Sequence, residues 1–426
     1  MKSVYIGIDF GTSGCRAIAI NGNNTILAKA SIALPESLLK NGHIVQNPHD
    51  WWLACHLVLD NLLSQIHPEQ VKAISIDGTS GTVLLCNADG SLVSDAYMYN
   101  DNNNILEAEK IKQLAPSNSG AHGSSSGLAK CLTLLKTAQL NQDTRCLTQA
   151  DWIAGIFTQR FDFTDQNNSL KLGYDAVNQQ WPEWLNKMDC RSRLVDNVYS
   201  PGDIISIINP QIAKTFDLPN TTKIVAGTTD SIAAFYAADC QQTGEAVTSL
   251  GSTLAIKLIS DKPIYAPEYG VYSHRFRDKW LVGGASNTGG AVLNYYFNHS
   301  QMKELTTQLD PHKNTGLDYY PLLVNGERFP VNDPELAPKL DPRPENDLLF
   351  FQGMLEGIAN IEKNAYHKLV ELGASYPTHI KTMGGGSVNF AWQTIRSNLL
   401  EVPIEKAEIT DAAYGSALLA KQGIQQ

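Results

Sequence analysis

The sequence predicts an α/β protein made of two similar domains. Two hairpin patterns indicate the duplication, because apolar strands flank a polar turn containing glycine at residues 4–20 and again at 246–259. Short apolar strands at 71–76 and 223–226 each end in a loop rich in Gly, Ser and Thr, which is typical of the sheet edge where α/β proteins bind ligands. A hairpin that recurs once in each half of the chain suggests a repeated domain.

The turn of the first hairpin contains groups suited to a phosphate. Gly11 and Gly14 allow backbone conformations that are closed to other residues, so successive N–H groups can face one concavity. Thr12 and Ser13 place hydroxyl groups beside it, and the carboxylate of Asp9 at its mouth would suit a metal-bound phosphate. An ordinary hairpin with a polar turn is the alternative.

Composition argues against several classes of partner. The chain has 426 residues, of which 43% are hydrophobic and 18% are charged, as expected of globular domains with full cores. Its formal net charge of −10 argues against nucleic acid or an anionic membrane as the main partner. No apolar run approaches the length of about 18 residues that a membrane span needs. Seven scattered cysteines without a Cys-x-x-Cys pair indicate reduced thiols, so we expect a cytoplasmic protein.

The loop after the strand at 71–76 is a candidate sugar site. Asp77, Thr79 and Ser80 offer a carboxylate and two hydroxyls that can bind the hydroxyl groups of a substrate. A polar turn without a ligand is the alternative.

Asp230 falls within the first turn of a helix predicted after the strand at 223–226. An acid at this position is commonly present only to complement the helix dipole. Beside two phosphate-binding hairpins, the same carboxylate could act as general base on a sugar hydroxyl, since the helix N-terminus favours its ionised form.

Three successive glycines, 384–386, lie between a predicted strand and a helix. Bare backbone leaves space for a flat ring, although a tight turn that allows close helix packing is the alternative. The chain has neither a Walker nor a Rossmann glycine motif, so nucleotide binding would depend on the hairpins and this turn.

The sequence resembles the FGGY carbohydrate kinases over nearly its whole length. The stretches that carry the resemblance are 6–19, 226–230, 249–253 and 383–389. Membership implies two domains of the ribonuclease-H-like fold found in the actin and hexokinase superfamily, with a nucleotide and sugar cleft between them. We expect an N-terminal domain at 1–236 and a C-terminal domain at 237–426, whose last helix could dock back on the first.

The resemblance also implies ATP as co-substrate, Mg²⁺ as cofactor and roles for individual residues. Asp230 is the expected catalytic base, and Asp9 and Asp230 are the expected metal ligands. Asp9, Asp77, Ser80 and Asp230 are expected to contact the sugar. The expected nucleotide-binding residues are Thr12, Ser13, Gly14, Cys15 and Arg16 of the first hairpin, Gly251, Ser252 and Gly289 of the second domain, and Gly385, Gly386, Ser387, Val388 and Asn389 of the glycine-rich turn.

Within the family, the short chain and the loops at 76–86, 169–175 and 226–235 look most like the compact pentulose kinases that act on D-ribulose. The implied reaction converts D-ribulose and ATP to D-ribulose 5-phosphate and ADP. D-xylulose or another polyol is the alternative substrate, because the loops do not separate pentuloses that differ at one carbinol. Many members of the family carry a Gly-Gln-Met-His loop where this chain has the Asp77 loop, and this departure weakens a simple transfer of glycerol or xylulose specificity.

A protein of a different class is the remaining alternative: a chaperone-like ATPase, or a sugar sensor without turnover. The presence of both Asp9 and Asp230 favours an active kinase. We expect a monomer or homodimer whose partners are the small sugar and ATP.

Overall fold

The computed structural model describes residues 3–425, which form two compact units. Unit 1 runs from the N-terminus to Ala237 and resumes at Ile409, and unit 2 is Ala238–Glu408. The domain boundary expected at 236/237 leaves 409–425 in the second domain, whereas these residues pack within unit 1. No helix among the described residues combines the length and the apolar character that crossing a membrane would require.

Unit 1 is built up to Ala237 from thirteen strands and six helices within the described residues. The strands are β1 Val4–Phe10, β2 Gly14–Asn21, β3 Ile26–Ala33, β4 Leu38–Lys40, β5 His43–Gln46, β6 Val71–Gly78, β7 Val83–Cys86, β8 Ala96–Tyr97, β9 Arg145–Thr148, β10 Phe163–Asp165, β11 Asn197–Tyr199, β12 Ile204–Ile207 and β13 Lys223–Val225. The helices are α1 Pro48–Leu63, α2 Ile105–Leu114, α3 Gly127–Thr137, α4 Gln149–Thr158, α5 Pro210–Thr215 and α6 Asp230–Ala237.

The main sheet of unit 1 has the strand order β12-β13-β6-β1-β2-β3. Strands β1, β2 and β3 are antiparallel neighbours, while β6 is parallel to both β1 and β13. Every residue of β1 is buried because the strand is central and covered on both faces. The register places Asp9 of β1 opposite Arg16 of β2 on one side and opposite Asp77 of β6 on the other.

Unit 2 repeats this arrangement. Its strands are β14 Glu245–Leu250, β15 Leu254–Ser260, β16 Tyr272–Phe276, β17 Lys279–Ala285, β18 His379–Met383 and β19 Ile404–Lys406, and its helices are α7 Gly290–Tyr296, α8 His299–Gln308, α9 Asp347–Glu371 and α10 Phe390–Leu400. The sheet order is β16-β17-β15-β14-β18-β19, with β14 and β15 forming an antiparallel hairpin and β18 parallel to β14. Three antiparallel strands followed by two parallel ones therefore occur in both units, which confirms the predicted duplication of the hairpin.

The last helix, α11 Ala412–Gln425, packs in unit 1 directly on β1 and α6. A Cβ atom on Gly7 would lie 2.0 Å from the carbonyl oxygen of Ala413, and one on Gly415 would lie 1.8 Å from the carbonyl oxygen of Ala233. Both contacts are between backbones, so glycine is required at these two positions because no side chain fits.

We predict that Gly415→Ala destabilises the protein by about 3 kcal/mol, because the added methyl group must push α11 away from α6. The measurement is urea denaturation followed by far-UV circular dichroism. Gly22→Ala is the matched control: no atom lies within 4 Å of the position that its methyl group would take, so a change within about 0.5 kcal/mol is expected. Equal effects of the two substitutions would show that the backbone contact is not tight.

Candidate functional site

Unit 1 contains an open cavity of about 450 Å³ at the end of β1 and the start of α6. It is lined by Asp9, Gly11, Arg16, Asp230, Ser231, Ala234, Thr410, Asp411 and Ala412. Three carboxylates and one guanidinium group therefore share one cavity, an arrangement suited to a hydrated cation and to the transfer of a proton.

Asp9 lies at the end of β1 with 3% of its surface exposed. Its Oδ2 accepts a hydrogen bond from Nη1 of Arg16 at 3.0 Å, and the Arg16 side chain is 48% exposed. Burial raises the pKa of Asp9, while hydrogen bonds with Asp77 and Arg16 lower it and the charge of Asp411 raises it further. Asp9 is thus a nearly enclosed carboxyl group that presents its outer edge to the cavity.

Asp77 lies beside Asp9 and is fully buried. Its Oδ2 accepts a hydrogen bond from the Ser416 hydroxyl of α11. Burial, followed by the charge of Asp9, raises the pKa of Asp77 well above its ordinary value, so the neutral carboxyl can donate its proton to Asp9. The direct contact with sugar expected of Asp77 is not supported by this position, because the side chain has no exposed surface.

Asp230 is the first residue of α6, as predicted, and is half-buried at the cavity wall. The segment that precedes Asp230 packs closely against β6. A Cβ on Gly227 would lie 1.8 Å from the carbonyl oxygen of Ile76. Thr229 bridges Gly78 and so extends the parallel pairing of β13 with β6. The amide of Ser231 donates to Oδ1 of Asp230 at 2.6 Å. The structure therefore brings Asp9, Arg16 and Asp230 to one cavity.

The loop after β6 is fixed by hydrogen bonds between buried side chains and its own residues. The side-chain oxygen of Gln149 accepts hydrogen bonds from the Thr79 amide at 3.0 Å and the Thr79 hydroxyl at 2.9 Å, and the hydroxyls of Thr79 and Thr82 lie 2.6 Å apart. Ser80 is half-exposed at the tip, but it is not among the residues that line the cavity of Asp9. Sequence reasoning missed Gln149, since nothing in the local pattern links it to a loop 70 residues earlier.

The first hairpin turn is closed by a hydrogen bond from the Gly11 amide to the Gly14 carbonyl at 3.0 Å. The Gly11 amide is therefore engaged within the turn, while Thr12 is half-exposed and Ser13 is exposed. Cys15 is buried, and burial raises the pKa of its thiol, so only its backbone could meet a nucleotide. All seven cysteines are buried free thiols.

In unit 2 the structure brings Gly251, Ser252 and Gly289 together. The amide of Gly290 donates to the Gly251 carbonyl at 2.8 Å, and that of Ala291 donates to the Ser252 carbonyl at 3.1 Å. Gly289 has a φ of +147°, and a Cβ there would lie 2.7 Å from the Ser252 carbonyl oxygen. The N-terminus of α7 therefore adjoins the turn of the second hairpin.

Glu327 anchors the segment between β17 and α7, and its role was not predicted from the sequence. It is 2% exposed and accepts hydrogen bonds from the Ser286 hydroxyl, the Asn287 amide at 2.8 Å and the Tyr320 hydroxyl at 3.0 Å. A buried carboxylate with several donors orders the segment between β17 and α7.

The glycine-rich turn of unit 2 forms a short 3-10 helix, Gly385–Val388. Gly385 faces open space and Val388 is 59% exposed, whereas the Ser387 hydroxyl donates to the Gly384 carbonyl. Asn389 instead caps α10, accepting from the Trp392 amide at 2.9 Å and donating to the Thr306 hydroxyl at 3.0 Å. These bonds use one of the two N–H donors and one of the two acceptor positions of the amide, so its expected contact with adenine stays a prediction.

Residues 3–425 include no group of three or more His, Cys, Asp or Glu side chains close enough to bind a metal ion by themselves. The carboxylates of Asp9 and Asp230, with Asp411 nearby, nevertheless fit Mg²⁺, which prefers oxygen ligands and keeps several waters beside one or two carboxylates. Asp411 was missed from the sequence because it is remote from the other two acids along the chain.

Asp165, one of two neighbouring buried acids, supports the segment that leads to Asp230. Asp165 accepts hydrogen bonds from the amides of Asn167 and Asn168, and Asn167 donates to the Thr228 hydroxyl at 2.9 Å. Burial raises the pKa of Asp165 to about 6 and, together with the charge of Asp165, raises the pKa of Asp151 to about 7.

These raised pKa values predict a pH dependence of stability. Between about pH 4 and pH 7 the folded protein binds more protons at Asp151 than the unfolded chain does, so this group's contribution to stability is lost as pH rises through that window. We expect Asp151→Asn to reduce the fall in the free energy of unfolding, measured by urea denaturation from about pH 4.5 to about pH 8. The control Asp196→Asn changes a carboxylate that is 82% exposed and should keep the parent slope. An unchanged slope in Asp151→Asn would contradict the raised pKa.

The chain matches the two domains of one protein family. The family model for the N-terminal domain of the FGGY carbohydrate kinases matches residues 4–236, and the model for the C-terminal domain matches residues 246–422. The chain is 24% identical to a xylulose kinase of Bacillus subtilis (strain 168) over 450 residues, covering 99% of this chain and 88% of the relative. It is 23% identical to a gluconokinase of the same strain over 455 residues, covering 98% of this chain and 86% of the relative.

Solved structures show the same fold. The crystal structure of a xyloylose kinase from Brucella ovis matches with a TM-score of 0.87 at 21% identity, over 99% of this chain and 90% of that one. Plasmodium falciparum glycerol kinase with ADP matches with a TM-score of 0.85 at 16% identity, over 100% of this chain and 90% of that one. Because the two family models together span nearly the whole chain, the protein belongs to the FGGY family of carbohydrate kinases, phosphotransferases that act on sugars.

Proposed function

We propose that this enzyme transfers the γ-phosphoryl group of ATP to a hydroxyl group of a pentulose, and that D-ribulose is the substrate. The observation that carries the reaction type is the cavity of unit 1 that Asp9, Asp230 and Asp411 line together. D-ribulose is supported by the resemblance of the loops at 76–86, 169–175 and 226–235 to those of D-ribulose kinases. D-xylulose is the second candidate, because relatives that match almost the whole chain are xylulose kinases.

Asp230 acts as the general base. Its place at the first position of α6 favours the ionised carboxylate, and its half-buried position at the cavity wall leaves an edge that can accept a proton from a sugar hydroxyl. The hydroxyl oxygen then attacks the γ-phosphorus, and ADP leaves.

Asp9 and Asp230 would hold Mg²⁺ directly or through water, and the ion would supply positive charge beside the phosphate oxygens. Arg16 ion-pairs with Asp9 and is half-exposed, so its guanidinium can contact an anionic oxygen while fixing the carboxylate. Asp77 and Ser416 act behind Asp9 by holding its inner edge.

Unit 2 has candidate nucleotide contacts of its own. The turn formed by Gly251 and Ser252, with Gly289 beside it, binds phosphate, and the exposed patch at Gly385 and Val388 receives the adenine ring. In unit 1, Ser80 binds a sugar hydroxyl. A hydroxyl of the wrong configuration would leave buried polar groups unpaired, so discrimination between pentuloses can be large.

We predict that Asp230→Asn lowers kcat by roughly 10²- to 10⁴-fold while ATP binding is retained, because the amide cannot take the proton. The measurements are coupled ADP release at saturating sugar and equilibrium ATP binding. Asp347→Asn is the control, since Asp347 is also the first residue of a helix, α9, but is exposed and pairs with Arg343. Near-normal turnover of Asp230→Asn would rule out the assignment of the base.

The substrate is tested by ADP release with Mg-ATP against D-ribulose, D-xylulose, L-ribulose, ribitol, gluconate, glycerol and no sugar. We expect the highest kcat/KM with D-ribulose. Preference for D-xylulose would keep the enzyme class and reassign the pocket. ATP turnover that is the same with and without every sugar would contradict kinase activity toward these compounds.

A further inference from the structure

Lys130 is an unusual residue of unit 1. It lies in the first turns of α3, whose N-cap is Ser126, and its side chain is fully buried. Lysine is almost never fully buried unless it is paired, because removing an ammonium group from water is costly. Among residues 3–425, no carboxylate forms an ion pair with this ammonium group, so some other interaction must account for it.

The ammonium group instead joins two loops. Nζ of Lys130 donates a hydrogen bond to the carbonyl oxygen of Gly81 at 2.9 Å and another to that of Tyr99 at 3.0 Å. Gly81 belongs to the loop after β6, and Tyr99 belongs to the segment after β8. Two parts of the chain that β7 and β8 separate are therefore tied to one point on α3.

The loop after β6 needs such a tie. Gly81 has a φ of +82°, a conformation that L-residues rarely adopt, and Nζ of Lys171 reaches the carbonyl oxygen of Ser80 at 3.4 Å. Thr79 is already bound by Gln149. Ser80 is thus the half-exposed tip of a loop whose residues on both sides are anchored to buried groups.

The surroundings of Lys130 make it costly to keep its ammonium group charged. Burial, followed by the charge of Lys171, lowers the pKa of Lys130 to about 7, while Asp101 opposes the shift. An apolar residue at this position would avoid the cost of burying a charged group. It could not, however, donate hydrogen bonds to the two carbonyl groups.

We propose that Lys130 is a positioning residue for sugar binding, which acts by fixing the Ser80 loop and the Tyr99 segment relative to each other. This inference rests on the proposed function, in which Ser80 contacts the sugar. Lys130 itself does not touch the substrate. Its role is to set where the Ser80 hydroxyl meets the sugar.

The test is a double-mutant cycle with Lys130→Met and Ser80→Ala, using the best substrate of the sugar panel. We expect Lys130→Met to raise the KM for the sugar roughly 10- to 100-fold, because a shift of about 1 Å in a binding group has effects of that size. The KM for ATP should stay within about twofold of the parent value. In the Ser80→Ala background the same substitution should have a much smaller effect, since the group that Lys130 positions is already absent.

Lys136→Met is the matched control. Lys136 lies on the same helix, but its side chain is 50% exposed and pairs with the buried Glu107 rather than with the Ser80 loop, so its loss should leave both KM values unchanged. Lys130→Gln keeps two N–H donors on a shorter side chain and should recover part of the loss in sugar affinity.

Four outcomes decide the matter. Additive effects of Lys130→Met and Ser80→Ala would overturn the inference while the kinase assignment stands, and so would equal rises in the KM values for sugar and ATP. Loss of the cooperative melting transition in both Lys130→Met and Lys130→Gln would also overturn it, by showing that the amine holds the fold rather than the loop. Absence of sugar-dependent turnover in the parent enzyme would refute the proposed function itself, and with it the role of Ser80.

Discussion

The architecture of unit 1 depends on the backbone contact between its first strand and its last helix. Gly7 of β1 has no space for a side chain against α11, and Gly415 of α11 has none against α6, so the last helix approaches both elements more closely than ordinary side chains permit. This approach places Ser416 against Asp77 and brings Asp411 to the cavity of Asp9 and Asp230. Residues separated by nearly the whole chain length thereby become neighbours in one site.

A second feature of the site is that two buried acids, Asp9 and Asp77, lie side by side. Two carboxylates side by side in adjacent strands would repel each other if both were ionised, and burial increases the cost. Burial and the charge of Asp9 raise the pKa of Asp77 and so keep a proton on the inner acid, against the opposing effect of the hydrogen bond from the Ser416 hydroxyl. Asp9 can then remain the charged partner, facing Arg16 and the cavity.

In each unit, buried polar side chains fix the backbone of a loop near candidate binding residues. Gln149 and Lys130 bind the loop after β6, and Glu327 binds the segment before α7. Loops of this kind cannot rely on sheet or helix hydrogen bonds, so their backbone groups need partners from elsewhere. Such partners also fix the positions of substrate-binding groups. This matters because moving such a group by about 1 Å can lower the reaction rate considerably.

Local patterns in the sequence determined much of this protein. Alternating apolar residues and glycine turns identified both hairpins, and the strand, glycine and acid sequence placed Asp230 at the start of a helix, because these features depend on nearby residues alone. The resemblance of the motifs was sufficient for the family, which the matches to both domain models confirm.

Only the tertiary structure decided which polar residues face a cavity and which lie inside. Asp77 and Ser80 look equivalent in the sequence, yet the first is buried under α11 and the second is half-exposed at a loop tip. Asn389 proved to be a helix cap, and Asp411, Gln149 and Lys130 carry no local signal at all. Their surroundings come from segments tens to hundreds of residues away, and burial and hydrogen bonding across such distances exist only once the chain has folded.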